Sequence, residues 1–189
     1  MKKLILASAS PRRKDLLTEY GFNFEIKVCN AEEILKDGLS PELQAVELAL
    51  CKAQTVFCSL LDNENSVVLG ADTIVVFNGK ILGKPKNEQD AFDTLQALSG
   101  KTHEVITGYA IVSKGKLIKD FVRSSVTFNV LSKELIEEYI KSKLPFGKAG
   151  SYGIQDGYPL VLKCEGSRNN VIGLPVEIIK EKLQEELSK

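Results

Sequence analysis

The segment after the first apolar run carries side chains suited to binding anions. Residues 4–7 are apolar, and they lead into Ser8, Ser10, Pro11, Arg12 and Arg13. Pro11 suits the first turn of a helix, and Ser10 suits the N-cap before it, where a hydroxyl accepts a backbone N–H. A helix N-terminus favours anions, and two guanidinium groups suit phosphate oxygens. The segment predicts a polyphosphate pocket, and a capped helix with two solvated arginines is the alternative.

An acidic residue interrupts the valine-rich segment 66–77. Asp72 stands between Gly70-Ala71 and the apolar residues 74–76. A charge buried in this way is costly unless it meets a metal, a cation or a substrate. We therefore predict a carboxylate that activates water, either directly or through Mg²⁺. An aspartate that caps a turn at a strand end is the alternative.

Three further positions in the sequence carry residues of possible structural or functional use, namely Lys84, His103 and Gly108. Lys84 follows Gly83 and precedes Pro85, so it could neutralise phosphate charge at a rigid turn or be an ordinary turn lysine. His103 is the single histidine, and a structural hydrogen-bonding role fits it at least as well as catalysis. Gly108 follows Thr107 inside an apolar segment, which predicts close approach of another group to the backbone.

A glycine-rich loop spans residues 145–158. Its Tyr152 and Gln155 offer a ring and an amide, and an amide can read the donor and acceptor edge of a base. A flexible surface loop is the alternative. By pattern alone Glu32, Glu33 and Lys52 are solvated surface charges.

The remaining pattern predicts the elements that must position these residues. Strands are expected at 2–7, 22–28, 66–77, 103–113, 116–130 and 159–164. Helices are expected at 11–20, from Ser40-Pro41 through Leu60, at 88–98 with Asn87 as N-cap, after Ser132, and from about 176 to 187. Asn78-Gly79 and Lys114-Gly115 predict hairpin turns. The order favours an α/β fold, a mixed twisted sheet flanked by helices, in a single domain over residues 1–189.

Composition limits the class of protein. The chain has 189 residues, 43% of them hydrophobic and 26% charged, with 25 basic and 25 acidic side chains and a net charge of zero. This balance argues against nucleic acid or an anionic membrane as a partner bound through bulk charge. No apolar run is long enough to span a bilayer, and no signal-peptide pattern is present. The four cysteines lack the C-x-x-C spacing of a zinc site, so a reduced, cytoplasmic setting is expected.

The motifs taken together and in order resemble those of one family. The series LASASPRR, GADTIV, GKP, SGKTHEVITG and KAGSYGIQ is similar to that of the Maf family of nucleoside triphosphate pyrophosphatases, from residue 4 to about residue 175. The resemblance implies two lobes around a cleft, similar to the inosine triphosphatase fold. It implies hydrolysis of a nucleoside triphosphate to the monophosphate and pyrophosphate, with a divalent cation, Mg²⁺ or Mn²⁺. It also implies a homodimer and a link to septum formation in bacteria.

The resemblance assigns roles to individual residues. Asp72 matches the catalytic base or metal ligand, and Glu33 matches a second metal ligand. The positions that match substrate-binding residues are Ser8, Ser10, Arg12, Arg13, Lys52, Thr73, Lys84 and Gln155. Arg12, Thr73 and Gln155 match positions associated with substrate choice, and a glutamine at 155 implies the dTTP/UTP type. The chain departs from the family pattern at Arg168, near which many members carry an aromatic residue.

We therefore expect a pyrimidine nucleoside triphosphate pyrophosphatase that removes unwanted nucleotides from the pool, modified pyrimidine nucleotides among them. The alternative is a nucleotide-binding regulator of septation without catalysis. Metal-dependent release of pyrophosphate would separate the two. A nucleic-acid-binding protein is disfavoured by the zero net charge.

Overall fold

The computed structural model describes residues 2–28 and 36–189. The strands are β1 (Lys3–Leu6), β2 (Phe24–Ile26), β3 (Ser66–Phe77), β4 (Lys80–Leu82), β5 (Thr102–Ser113), β6 (Lys116–Phe128) and β7 (Val161–Glu165). The helices are α1 (Pro11–Glu19), α2 (Pro41–Cys58), α3 (Glu88–Leu98), α4 (Lys133–Lys141), α5 (Arg168–Ile172) and α6 (Val176–Ser188). A 3₁₀ turn covers Ala149–Ser151.

Capping and turn residues in the sequence predicted the boundaries of several of these elements. The side chains of Ser40, Asn87 and Ser132 each accept a backbone N–H three residues ahead, so α2, α3 and α4 begin where their caps predicted. Asn78 and Gly79 both have positive φ, 50° and 74°, as the turn between β3 and β4 requires. The strand predicted at 22–28 covers only three residues, and the short helix α5 was not predicted.

The sheet is mixed, as the sequence predicted. Its strands lie in the order β2-β1-β3-β5-β6-β7, with β4 paired to the end of β3. β1 is parallel to β2 and β3, and the other pairs are antiparallel. On one edge of β3, β1 pairs with residues 66–69 and β4 pairs with residues 75–77. Residues 70–74 therefore pair with no described strand on that edge, which leaves a gap in the sheet there.

One face of the sheet carries two separate apolar cores. The first core joins β1, α1 and α6 to residues 67, 69 and 71 of β3 and residues 109 and 111 of β5. The second core joins α3 and α4 to residue 75 of β3, residue 105 of β5 and the end of β6. Because alternate residues of a strand share a face, Thr73 and Thr107 lie between the two cores. The two cores are therefore separated by a polar interval.

The opposite face is covered by α2, which packs at very close range. A β-carbon placed on Gly108 would lie 2.2 Å from the carbonyl carbon of Ala45, and one on Gly70 would lie 2.2 Å from the oxygen of Ala49. The close approach predicted at Gly108 is therefore that of the α2 backbone. It brings the polar side chain of Lys52 against β3.

No helix in residues 2–28 and 36–189 combines the length and the apolar character that crossing a membrane would need.

Candidate active site

A cleft of about 500 Å³ opens at the gap along β3. It lies between the loop that leads into α1 and the loops that follow β4 and α4. All nine candidate residues that fall in the described ranges line it: Ser8, Ser10, Arg12, Arg13, Lys52, Asp72, Thr73, Lys84 and Gln155. Glu33, the predicted second metal ligand, lies outside the described residues, as does Glu32. The fold thus gathers in one place side chains that are up to 147 positions apart in the chain (Ser8 to Gln155).

The loop before α1 is braced by Arg13. Its guanidinium donates to Ser8 Oγ at 3.0 Å, to Thr73 Oγ1 at 3.2 Å and to the Gly173 carbonyl at 2.8 Å. These contacts link the helix start to β3 and to the end of α5. Ser10 occupies the N-cap position, as predicted, but among the described contacts its hydroxyl does not accept the predicted backbone N–H. The Ser10 N–H instead donates to Ser8 Oγ at 3.2 Å.

Lys52 and Asp72 form an ion pair inside the cleft. The Lys52 Nζ lies 2.5 Å from Asp72 Oδ1, and the two side chains are only 14% and 11% exposed. The interpretation of Lys52 as a solvated surface charge is therefore wrong. Asp72 is buried in an apolar strand, as its sequence context predicted. Its charge is offset by a lysine that α2 can deliver because Gly70 and Gly108 admit the helix so closely.

A buried polar network stands behind Thr73. Thr73 Oγ1 lies 2.9 Å from Thr107 Oγ1, and the Thr107 hydroxyl donates to the Asn170 carbonyl at 2.9 Å. The Asn170 side chain accepts from the Thr107 N–H at 3.1 Å and donates to Val105 O and Ser124 Oγ. Asn170 is fully buried and holds α5 to the sheet. Sequence reasoning missed it, although Ser167 is a cap residue that could have indicated α5.

The loops on the other side of the cleft are tied to one another. The Gly150 N–H donates to the Gly83 carbonyl at 3.1 Å, beside the exposed Lys84. Gln155 is exposed, and its Nε2 donates to Asp156 Oδ1 at 3.0 Å. Asp156 Oδ2 accepts from the Tyr139 hydroxyl at 2.5 Å and pairs with Lys148 Nζ. Neither Lys148 nor Asp156 was singled out from the sequence, which gives no sign that these charges become buried.

His103 is structural. It is 2% exposed, its Nε2 lies 2.7 Å from the Tyr152 hydroxyl, and its ring packs edge-on against Tyr152 and Phe128. Burial lowers the pKa of His103 from 6.5 to about 4, so its neutral form is the one present near pH 7. The Tyr152 ring, 5% exposed, belongs to the second core. The hydrogen-bonding role expected for His103 is confirmed.

Basic side chains outnumber acidic ones along the described lining of the cleft. Five basic side chains line its described part, Arg12, Arg13, Lys52, Lys84 and Lys148, against the single carboxylate of Asp72. The pKa of Arg12 is lowered overall, because burial lowers it more than the opposite charge of Asp156 raises it. Arg12 Nε also donates to the Ile172 carbonyl at 3.3 Å, so the side chain is anchored beside the cleft. Such an excess of positive charge suits a polyphosphate.

The described residues fit a divalent cation held jointly with a substrate. They contain no cluster of three histidine, cysteine, aspartate or glutamate side chains. Mg²⁺, however, is commonly held by one or two carboxylates together with substrate phosphates. Asp72, buried at the base of the gap and lining the cleft, offers such a carboxylate.

Known proteins are similar to this chain over almost its whole length. A dTTP/UTP pyrophosphatase of Bacillus cereus (strain ATCC 10987 / NRS 248) is 48% identical over 186 residues, which are 98% of this chain and 90% of the relative. A protein of the same name from Bacillus anthracis (strain CDC 684 / NRRL 3495) is 47% identical, covering 98% of this chain and 96% of the relative. A crystal structure of a Vibrio cholerae protein aligns with a TM-score of 0.36 at 13% identity, over 75% of this chain and 71% of that one. The family model described as Maf-like protein matches residues 3–186. The chain therefore belongs to the Maf-like protein family.

Proposed function

We propose that this chain hydrolyses dTTP and UTP, and nucleotides with similar modified bases, to the monophosphate and pyrophosphate, and so clears them from the nucleotide pool. The observation that carries the proposal is the convergence of nine candidate residues on one cleft whose described lining is rich in basic side chains. The names of the relatives, dTTP/UTP pyrophosphatases at up to 48% identity, support the same substrate class.

The triphosphate would lie between the α1 loop and Lys84. Arg12, Arg13, Lys52 and Lys84 line this part of the cleft, beside the N-terminus of α1. When water attacks the α-phosphorus, negative charge grows on the departing pyrophosphate. Fixed cations placed where charge grows stabilise the transition state more than the bound substrate.

Asp72 would take the proton from the attacking water. Among the described residues, Asp72 supplies the carboxylate that lines the cleft. Its backbone is held in the sheet, because β3 pairs with β5 here and Asp72 lies opposite Gly108. The Lys52 ammonium, 2.5 Å from Oδ1, orients the carboxylate and offsets its charge. General-base catalysis of this kind contributes about 10²–10⁴-fold in rate.

A divalent cation would be held by Asp72 and the phosphate oxygens, with Glu33 as the predicted second ligand. When bound, this cation would neutralise negative charge on the phosphates and lower the pKa of the attacking water.

The base would lie towards Gln155 and Thr73. Gln155 lines the cleft with an exposed amide, which has both a donor and an acceptor for a pyrimidine edge. Thr73 is held by the Arg13 and Thr107 contacts, so it limits the space at that point. A pocket that accepts both uracil and thymine need only tolerate one methyl group, which changes binding by about 1–3 kcal/mol.

The first test is pyrophosphate release from a panel of canonical and modified nucleoside triphosphates, with and without Mg²⁺ or Mn²⁺. We expect metal-dependent release that is fastest with dTTP and UTP. Release centred on purine nucleotides would contradict the substrate assignment. Tight binding without release would favour a nucleotide-binding regulator.

The second test is Asp72→Asn, which keeps the shape of the side chain and removes the base. We expect turnover of UTP to fall at least about 100-fold while the melting temperature shows a folded protein. Asp120→Asn, at an exposed position of β6, is the matched control and should keep full activity. Full activity of the Asp72→Asn variant would refute the proposed role.

A further inference from the structure

We propose that Asp156 is a positioning residue that sets which base the cleft accepts, by fixing the orientation of the Gln155 amide. The inference rests on the proposed function, in which Gln155 contacts the base. A carboxamide is nearly symmetric in shape, with an oxygen on one side and an NH₂ on the other. Rotated by half a turn, the same side chain exchanges its donor for its acceptor, so a free glutamine discriminates poorly between bases.

Asp156 removes that ambiguity because donors surround it. Its Oδ2 accepts from the Tyr139 hydroxyl at 2.5 Å and pairs with Lys148 Nζ. Its side chain is 5% exposed and that of Lys148 is 10% exposed, so this carboxylate is fixed in place. Its Oδ1 is then left to accept from Gln155 Nε2 at 3.0 Å. An amide oxygen turned towards Oδ1 would place two acceptors against each other.

The backbone makes room for this contact at Gly153. A β-carbon there would lie 2.6 Å from Asp156 Oδ1 and 2.7 Å from Gln155 Nε2, closer than side chains approach one another. The conformation of Gly153 is open to any residue, since its φ is not positive. What this position requires is therefore space for the pair formed by Asp156 and Gln155.

The fixed amide matches uracil and thymine. With Nε2 held by Asp156, Gln155 presents Oε1 to the base as an acceptor, with the second N–H of Nε2 beside it. Uracil and thymine carry a donor at N3 next to the O4 acceptor, whereas cytosine carries an acceptor at N3 next to an amino donor. Cytosine bound in the same register, with its N3 facing Oε1, would set an acceptor against an acceptor, and an unmatched polar group in a site of this kind is costly.

Asp156→Asn makes the sharpest test, because it should reverse the amide. Tyr139 and Lys148 would hold the asparagine oxygen, which turns its NH₂ towards Gln155. Gln155 would then turn its own oxygen to that NH₂ and present Nε2 to the base. We expect the ratio of kcat/KM for UTP to kcat/KM for CTP to fall about tenfold or more.

Gly153→Ala provides a second route that leaves the buried charges in place. Its methyl group would push apart the ends of two side chains, so we expect the same ratio to fall while the melting temperature stays close to that of the wild type. Asp120→Asn is the control. It neutralises an exposed carboxylate of β6 outside the cleft, so the ratio should stay within about twofold.

The readout is pyrophosphate release from UTP and CTP by the wild type and the three variants. A wild-type ratio in both folded variants, Asp156→Asn and Gly153→Ala, would overturn the inference. Failure of the proposed function is distinguishable, because the wild type itself would then release no pyrophosphate. In that case the ratio of the Kd values for UTP and CTP gives the same comparison, with the same expected and contradicting outcomes.

Discussion

Acidification should destabilise this protein through the buried ring of His103. The ring is 2% exposed, and its Nδ1 has no hydrogen-bond partner among the described residues. A protonated imidazole has two N–H donors, and here one of them would face no acceptor. Burial accordingly lowers the pKa of His103 to about 4, against 6.5 when the chain is unfolded.

The sign and size follow from proton linkage. Between pH 6.5 and 4 the unfolded chain binds a proton at His103 that the folded chain does not, so the free energy of unfolding falls as the pH falls. One pKa unit is worth about 1.4 kcal/mol, so this histidine removes about 2 kcal/mol at pH 5 and about 3 kcal/mol near pH 4. The loss levels off below pH 4, because both states are then protonated.

The assay is urea denaturation from pH 7.5 to pH 4 on the wild type and on His103→Gln. Glutamine is uncharged throughout, and its amide can retain a partner for the Tyr152 hydroxyl. Carboxylates titrate alike in both proteins, so the difference between their free energies of unfolding isolates His103. We expect this difference to change by about 2 kcal/mol between pH 7.5 and pH 5 in favour of the variant. A difference that does not change with pH would refute the reasoning.

Two further substitutions test the packing of α2 against the sheet and the hydrogen bonds of Arg13 at the cleft. Gly108→Ala should cost about 3 kcal/mol or more of unfolding free energy, because its methyl group would meet the Ala45 backbone. Gly83→Ala, where a β-carbon meets nothing within 4 Å, should cost little in the same denaturation assay, and equal losses would contradict this account. Arg13→Lys should lower kcat/KM for UTP about tenfold, since an ammonium cannot bond Ser8, Thr73 and Gly173 together. Arg123→Lys, at an exposed site, is its control and should keep full activity, and unchanged activity of Arg13→Lys would show that its charge alone is sufficient.

Interactions between residues close in the sequence explain which features could be predicted. Capping side chains at Ser40, Asn87 and Ser132 and the turn at Asn78-Gly79 act over three or four residues, so the sequence alone determined where those elements begin and end. The mixed sheet followed from the order of its strands and two hairpins. Asp72 could be selected because a charge in an apolar strand is costly wherever that strand lies.

The arrangement of the site was decided by contacts between distant segments. Lys52 looks like a surface charge on its helix, and only the close packing of α2 on Gly108 brings it to Asp72. Asn170 lies in a five-residue helix whose stability comes from tertiary hydrogen bonds, so its pattern gives little signal.

The sequence by itself therefore determined the elements, the class of sheet and the chemistry-bearing residue types, because these depend on neighbours along the chain. Tertiary structure alone decided that the sheet edge is left open along residues 70–74, that the cleft forms there, and that Asp156 is buried against Lys148 beside Gln155. The physical reason is that burial and charge pairing depend on which segments meet, and residues 8 positions apart, such as Lys148 and Asp156, already need the folded loop to come together.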